Sequence, residues 1–106
     1  MAQLKAPDNF SVIRSEDRLS ALLMWDSVTE DIAGATATAV AYTLYQSDRN
    51  NGLGYATVAD IPHKAGAARQ YTAIDNLEAD MLYNFTITAV DTYDEESAPS
   101  TDATDF

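Results

Sequence analysis

From Tyr83 to Ala89, apolar and polar side chains alternate without a break. Tyr83, Phe85, Ile87 and Ala89 fall on one side, and Asn84, Thr86 and Thr88 on the other. A period of two marks a strand with one buried face; a helix would scatter these residues around its axis. Leu77 precedes this strand across a short acidic turn, Glu78, Ala79 and Asp80. One such strand is not stable alone, so the rest of the chain must supply a sheet and a second layer to cover it.

The rest of the chain does read as strands. Turn residues recur about every ten positions, and no long helical periodicity is present, a pattern that points to a sandwich or barrel. Residues 9–14 place Phe10 and Val12 on one side. Residues 19–25 place Leu19, Ala21, Leu23 and Trp25 on one side, with Ser20, Leu22 and Met24 opposite. Residues 39–46 group Val40, Tyr42 and Leu44, and Asn51 with Gly52 reads as a hairpin turn. Residues 55–61 read as an edge strand stopped by Pro62, and residues 68–77 bring in Tyr71 and Ile74. Residues 97–106, polar and rich in turn formers, read as a last edge strand. Ser27 and Glu30 imitate a capping box, but the Ala, Thr and Gly residues that follow favour an extended connection over 27–39. The expectation is an all-β, seven-stranded, two-sheet antiparallel β-sandwich. It forms one domain over 1–106, with its core in about residues 6–102.

These residues resemble a fibronectin type III domain, a member of the immunoglobulin-like β-sandwiches, over nearly the whole chain. Pro7 stands at the opening of the first strand, Trp25 closes the second and is followed by Asp26, and Tyr42 and Leu44 match the core pair of the third. Leu77 and Tyr83 match the Leu and Tyr of the corner before the sixth strand. Residues 89–91 and 96–100 match the run into the seventh. The resemblance implies a structural core of Trp25, Tyr42, Leu44, Leu77, Tyr83, Phe85 and Ile87. It also implies a Tyr83 hydroxyl bonded to upstream backbone. Where integrin-binding members carry Arg-Gly-Asp, this chain has Asp94, Glu95 and Glu96, so integrin binding is not implied.

Composition narrows the function. The formal net charge is −11, from 17 acidic and 6 basic residues. Such a chain lacks the basic patch that nucleic acid or an anionic membrane surface requires. From Gln70 onward there are nine acids and no Lys or Arg, which predicts one electronegative side. There is no Cys, so stability rests on packing. Residues 1–10 carry no apolar signal core, so the expectation is synthesis in the cytoplasm without a signal peptide.

No catalytic, cofactor or metal site emerges. The single His63 sits in a turn after an edge strand and reads as a solvated loop histidine. Asp91, Asp94, Glu95 and Glu96 share one loop but lack the spacing of a calcium loop. Tyr45, Tyr55 and Tyr93 would serve as platforms for carbohydrate if exposed. The sequons at Asn9 and Asn84 read as chance matches. Leu22 and Met24 are apolar yet point away from the core side of their strand, which suggests a packed outer surface. The expected function is therefore a non-catalytic structural or protein-interaction module. Its candidate interaction residues are Leu22, Met24, Tyr93, Asp94, Glu95 and Glu96. Two settings fit. One is a bacteriophage virion component, decorating a capsid or joining tail parts. The other is an accessory module of a larger secreted enzyme or cell-surface protein that binds carbohydrate or a protein ligand.

Overall fold

The computed structural model describes residues 3–48, 55–101 and 103–104. Among the described residues seven strands form: β1 (Ser11–Arg14), β2 (Ala21–Asp26), β3 (Ala41–Asp48), β4 (Ala56–Pro62), β5 (Arg69–Ile74), β6 (Tyr83–Val90) and β7 (Ala103–Thr104). They pair in two antiparallel sheets, ordered β1-β2-β5 and β4-β3-β6-β7. The hairpin turn expected at Asn51 and Gly52 lies outside the described residues.

The sandwich closes because each sheet turns its alternate apolar residues inward. Leu23 and Trp25 from β2 meet Tyr42 and Leu44 from β3 and Phe85, Ile87 and Ala89 from β6, all fully buried. Trp25 lies edge-on to Phe10 and Tyr42, with ring centroids 6.2 and 5.3 Å apart. Leu77 and Tyr83 close the core at the other end. The Glu78 N–H donates to the Tyr83 hydroxyl at 3.1 Å, the upstream backbone bond expected of this corner.

Two residues placed in the core from alternation are outside it. Leu19 and Val40 are about half exposed. Each lies just before its strand begins, where the pleat that sorts inside from outside has not started. The connection 27–39 is not helical: it carries a short bridge between Glu30 and Thr36 and buries Val28 and Ala39.

Of the last strand expected over 97–106, the described residues 97–101 lie outside β7. Before β7, the chain keeps company with β6 through serines. Ser97 and Ser100 donate their N–H groups to the carbonyls of Ala89 and Ile87 at 2.7 and 2.9 Å. Their hydroxyls accept the N–H groups of the same two residues at 2.9 and 3.1 Å. Pro99 has no N–H to give a ladder, and on either side of it the serine hydroxyls stand in for carbonyls as acceptors of the β6 N–H groups. Ser100→Ala would leave the buried Ile87 N–H without its acceptor, a loss of about 1–3 kcal/mol. Denaturant unfolding should show a lower midpoint at unchanged slope.

Candidate functional site

The outer face of the three-stranded sheet is apolar across all three strands. Register sets Ile13 against Leu22 and Leu22 against Ala73, and the next rung joins Ser11, Met24 and Tyr71. Ile13 and Tyr71 are 57% and 59% exposed, Leu22 is exposed and Met24 partly so. Leu22 and Met24 therefore point where alternation put them, and the sheet adds Ile13 and Tyr71. Both additions were readable in principle. Val12 inside implies Ile13 outside, and Ile74 inside implies Tyr71 outside.

The four-stranded sheet shows a different outer face. Thr43, Ser47, Thr86 and Thr88 point outward there and are nonetheless buried. The threonine hydroxyls are taken up by neighbours: Thr43 donates to Asp60, and Thr86 to the Ser100 carbonyl. Glu96 folds back onto this face, where its carboxylate accepts the hydroxyls of Tyr45 and Thr88. Glu96, a candidate interaction residue, is exposed and makes these local bonds. Tyr45, so engaged, is partly buried and offers no open platform, whereas Tyr55 and Tyr93 are exposed.

The acidic loop is a built turn. The Asp91 carboxylate is buried and accepts the N–H groups of Tyr93 and Glu95 at 2.8 and 3.0 Å. That leaves Tyr93 at the tip, 66% exposed, with Asp94 and Glu95 exposed beside it. Among the described residues, no group of three or more His, Asp or Glu side chains is placed to hold a metal. Nor do the late acids form a single electronegative side. Asp75, Glu78 and Asp80 lie before β6 and Asp91 to Glu96 after it, so the strand carries the two groups to opposite ends.

His63 is not a solvated loop residue. Its ring is half-buried, and Nδ1 lies 2.9 Å from the hydroxyl of Tyr42, whose oxygen also accepts the Val28 N–H at 3.0 Å. Burial raises the pKa of that Tyr42 hydroxyl. The sequence gives no warning of this pair, because the two residues meet only when β4 aligns with β3. The arrangement supplies a satisfied core tyrosine rather than a base beside a nucleophile.

No protein-family model matches this chain, and no curated protein is similar to it in sequence. Solved structures are similar to it in fold. A Fn3-like protein from Clostridium thermocellum superposes with a TM-score of 0.72 at 18% identity, over 99% of this chain and 94% of that one. A human third fibronectin III domain gives 0.65 at 16% identity, over 95% and 79%. A pectate lyase from Pectobacterium carotovorum gives 0.62 at 14% identity, over 90% of this chain but only 26% of its own. The fold is the fibronectin type III-like β-sandwich, as the strand order and the Tyr83 corner indicate.

Tyr45 provides a measurable handle on the polar face. Its hydrogen bond to Glu96 comes first among the causes that push its pKa up to about 12, followed by burial and the nearby negative charge. A folded pKa above the unfolded value of about 10 means this contact stabilises the fold fully below pH 10. That stability is lost as pH rises through about 12. Ultraviolet titration should therefore show Tyr45 ionising late, as the buried Tyr42 also does, and Glu96→Gln should bring Tyr45 alone back toward the ordinary range.

Proposed function

We propose that this chain is a non-catalytic protein-interaction module that docks onto a larger assembly through the outer face of its three-stranded sheet. The observation that carries this reading is the contrast between the two outer faces. One uses its hydroxyls on itself. The other presents Ile13, Leu22, Met24 and Tyr71 in adjoining rungs. Scattered apolar residues are ordinary on a surface, whereas a contiguous patch across a sheet marks a contact. Full burial of each large apolar side chain contributes about 1.5–3 kcal/mol, and less where the fold already covers part of it.

Two settings remain for such a module. As an accessory unit of a longer chain, it would resemble the segment that matches about a quarter of the pectate lyase chain. As a virion component, it would ride on capsid or tail proteins, a setting to which the structural neighbours add nothing. Carbohydrate is the less favoured ligand, since Tyr45 is tied to Glu96.

The test uses the double variant Leu22→Asp with Met24→Asp, sedimented from a lysate of the native producing cell. The wild-type chain should travel with a complex much heavier than itself. The variant should run alone while keeping the circular dichroism of a β-sandwich. A folded variant that stays attached as well as wild type, or a wild-type chain that runs as a free monomer, would refute the docking face.

A further inference from the structure

The apolar rungs end on a polar one. Asp26 accepts from Asn9 Nδ2 at 2.6 Å and pairs with Arg69 Nε at 3.2 Å, while a terminal nitrogen of Arg69 donates to the Asn9 carbonyl at 3.0 Å. Beside this rung, a groove of about 380 Å³ runs between the end of β4 and the start of β5. Its walls are Ile61, Pro62 and Tyr71, and His63, Lys64, Arg69 and Gln70 complete the lining. Tyr71 belongs to both the groove and the apolar face.

We propose that this groove is a carboxylate-binding subsite of the docking face. It takes an Asp or Glu side chain set among apolar residues of the protein partner. The proposal rests on the reading of that face as a protein-docking surface and names the chemistry of one contact within it.

The lining donates far more than it accepts. The Gln70 carbonyl oxygen is already taken by the Lys64 N–H at 2.9 Å, and its amide by Ser27 and the Lys64 carbonyl. The Tyr42 oxygen accepts the Val28 N–H and lies 2.9 Å from His63 Nδ1; in the tautomer that gives the Tyr42 proton an acceptor, Nδ1 is unprotonated. In the neutral ring, Nε2 then carries the other proton and is a donor. Lys64 adds an ammonium, and among the lining side chains only the Tyr71 hydroxyl and the remaining lone pair of the Gln70 oxygen can also accept. Sugar hydroxyls need acceptors as well as donors, whereas a carboxylate needs donors alone.

Charge points the same way. Lys5 is paired with Asp8 at 3.6 Å, and Arg14 and Arg18 are turned onto backbone carbonyls at the far end of the sandwich. Lys64 lies 5.6 Å from the centre of the Tyr71 ring, and among the described residues no carboxylate pairs with it. No acid lines the groove. The chain is acidic overall, but at physiological salt charges beyond about 8 Å are largely screened, so the local cations decide. Apolar walls on one side reduce the water around an ion pair and strengthen it.

The probes are two capped tripeptides, acetyl-Leu-Glu-Leu-amide and its Gln counterpart, titrated into the ¹⁵N-labelled full chain by NMR. The Glu peptide should shift the amides of Lys64, Gln70 and Tyr71, with the Gln peptide weaker by about tenfold, the advantage of a charge-assisted contact. Lys64→Gln, an exposed substitution, should erase the difference, and Lys64→Arg should retain it. Equal binding of the two peptides, or a Glu preference that survives Lys64→Gln, overturns the subsite. If the Leu22 and Met24 variant detaches from its assembly while the peptides bind alike, the subsite falls and the docking face stands. If the peptides discriminate but that variant stays attached, the subsite stands and the face falls.

Discussion

At the corner between β5 and β6, the hydroxyl of Tyr83 accepts the N–H of Glu78, and the phase of the longest inward row is set there. The chain leaves the three-stranded sheet at Ile74 and enters the four-stranded one at Tyr83. With Tyr83 held inward, Phe85, Ile87 and Ala89 must follow it into the core. A slip of one residue would send Asn84, Thr86 and Thr88 inward instead. The corner also reaches the opposite sheet. The Arg14 guanidinium lies 5.3 Å from the centre of the Tyr83 ring and donates to the carbonyls of Met81 and Glu78 at 3.2 Å. Arg18 donates to Ala79 at 2.9 Å, and Leu77 donates its N–H to Leu19. One corner thereby ties the β1–β2 turn to the start of β6.

This corner was legible because its determinants are close in sequence. A Leu, a short turn and a Tyr before an alternating run are local, and their geometry is too. The same holds for the core pairs of β2, β3 and β6, where period two and burial agree. Legibility fails where a contact depends on register between strands distant in sequence. Arg14 reads as one more surface cation until the corner closes beside it. His63 reads as a loop residue until β4 lies against β3 and brings Tyr42 within reach. It fails also at strand ends, where Leu19 and Val40 carry the right residue type two and one residues before the pleat begins. It fails again over 97–101, where serine hydroxyls stand in for ladder partners, and nothing in composition distinguishes such a serine from a solvated one.

The two sheets solve the problem of their outer faces differently, and that difference is the reason to look for function on one of them. A threonine on an outer face satisfies its hydroxyl by turning to a neighbour, and the row Thr43, Thr86 and Thr88 does this with Asp60, Ser100 and Glu96. Such a face has little to gain from a partner, since binding would exchange satisfied bonds for others of similar strength. An apolar rung has no internal remedy of this kind. Ile13, Leu22, Met24 and Tyr71 can leave water only by being covered.

The same accounting changes how the net charge of −11 should be understood. Three of the acids, Asp17, Asp31 and Asp91, build turns. Asp31 accepts the N–H groups of Ala33 and Ala35, both at 2.9 Å, and Asp91 repeats the pattern with Tyr93 and Glu95. Each turn contains one residue with a left-handed backbone, Gly34 in the first and Asp94 in the second. Asp17 does similar work between β1 and β2, where the hydroxyl of Ser15 and the N–H of Leu19 hold its pKa below the ordinary value. A short acceptor at the start of a turn satisfies backbone donors that a sandwich loop cannot pair otherwise. Tight turns joining short strands demand many such acceptors, so acidity here is partly a by-product of the architecture. A docking surface should then be sought where charge and exposed apolar area are not already spent on the fold. Tyr71 and Lys64 meet that condition, whereas the buried carboxylate of Asp91 does not.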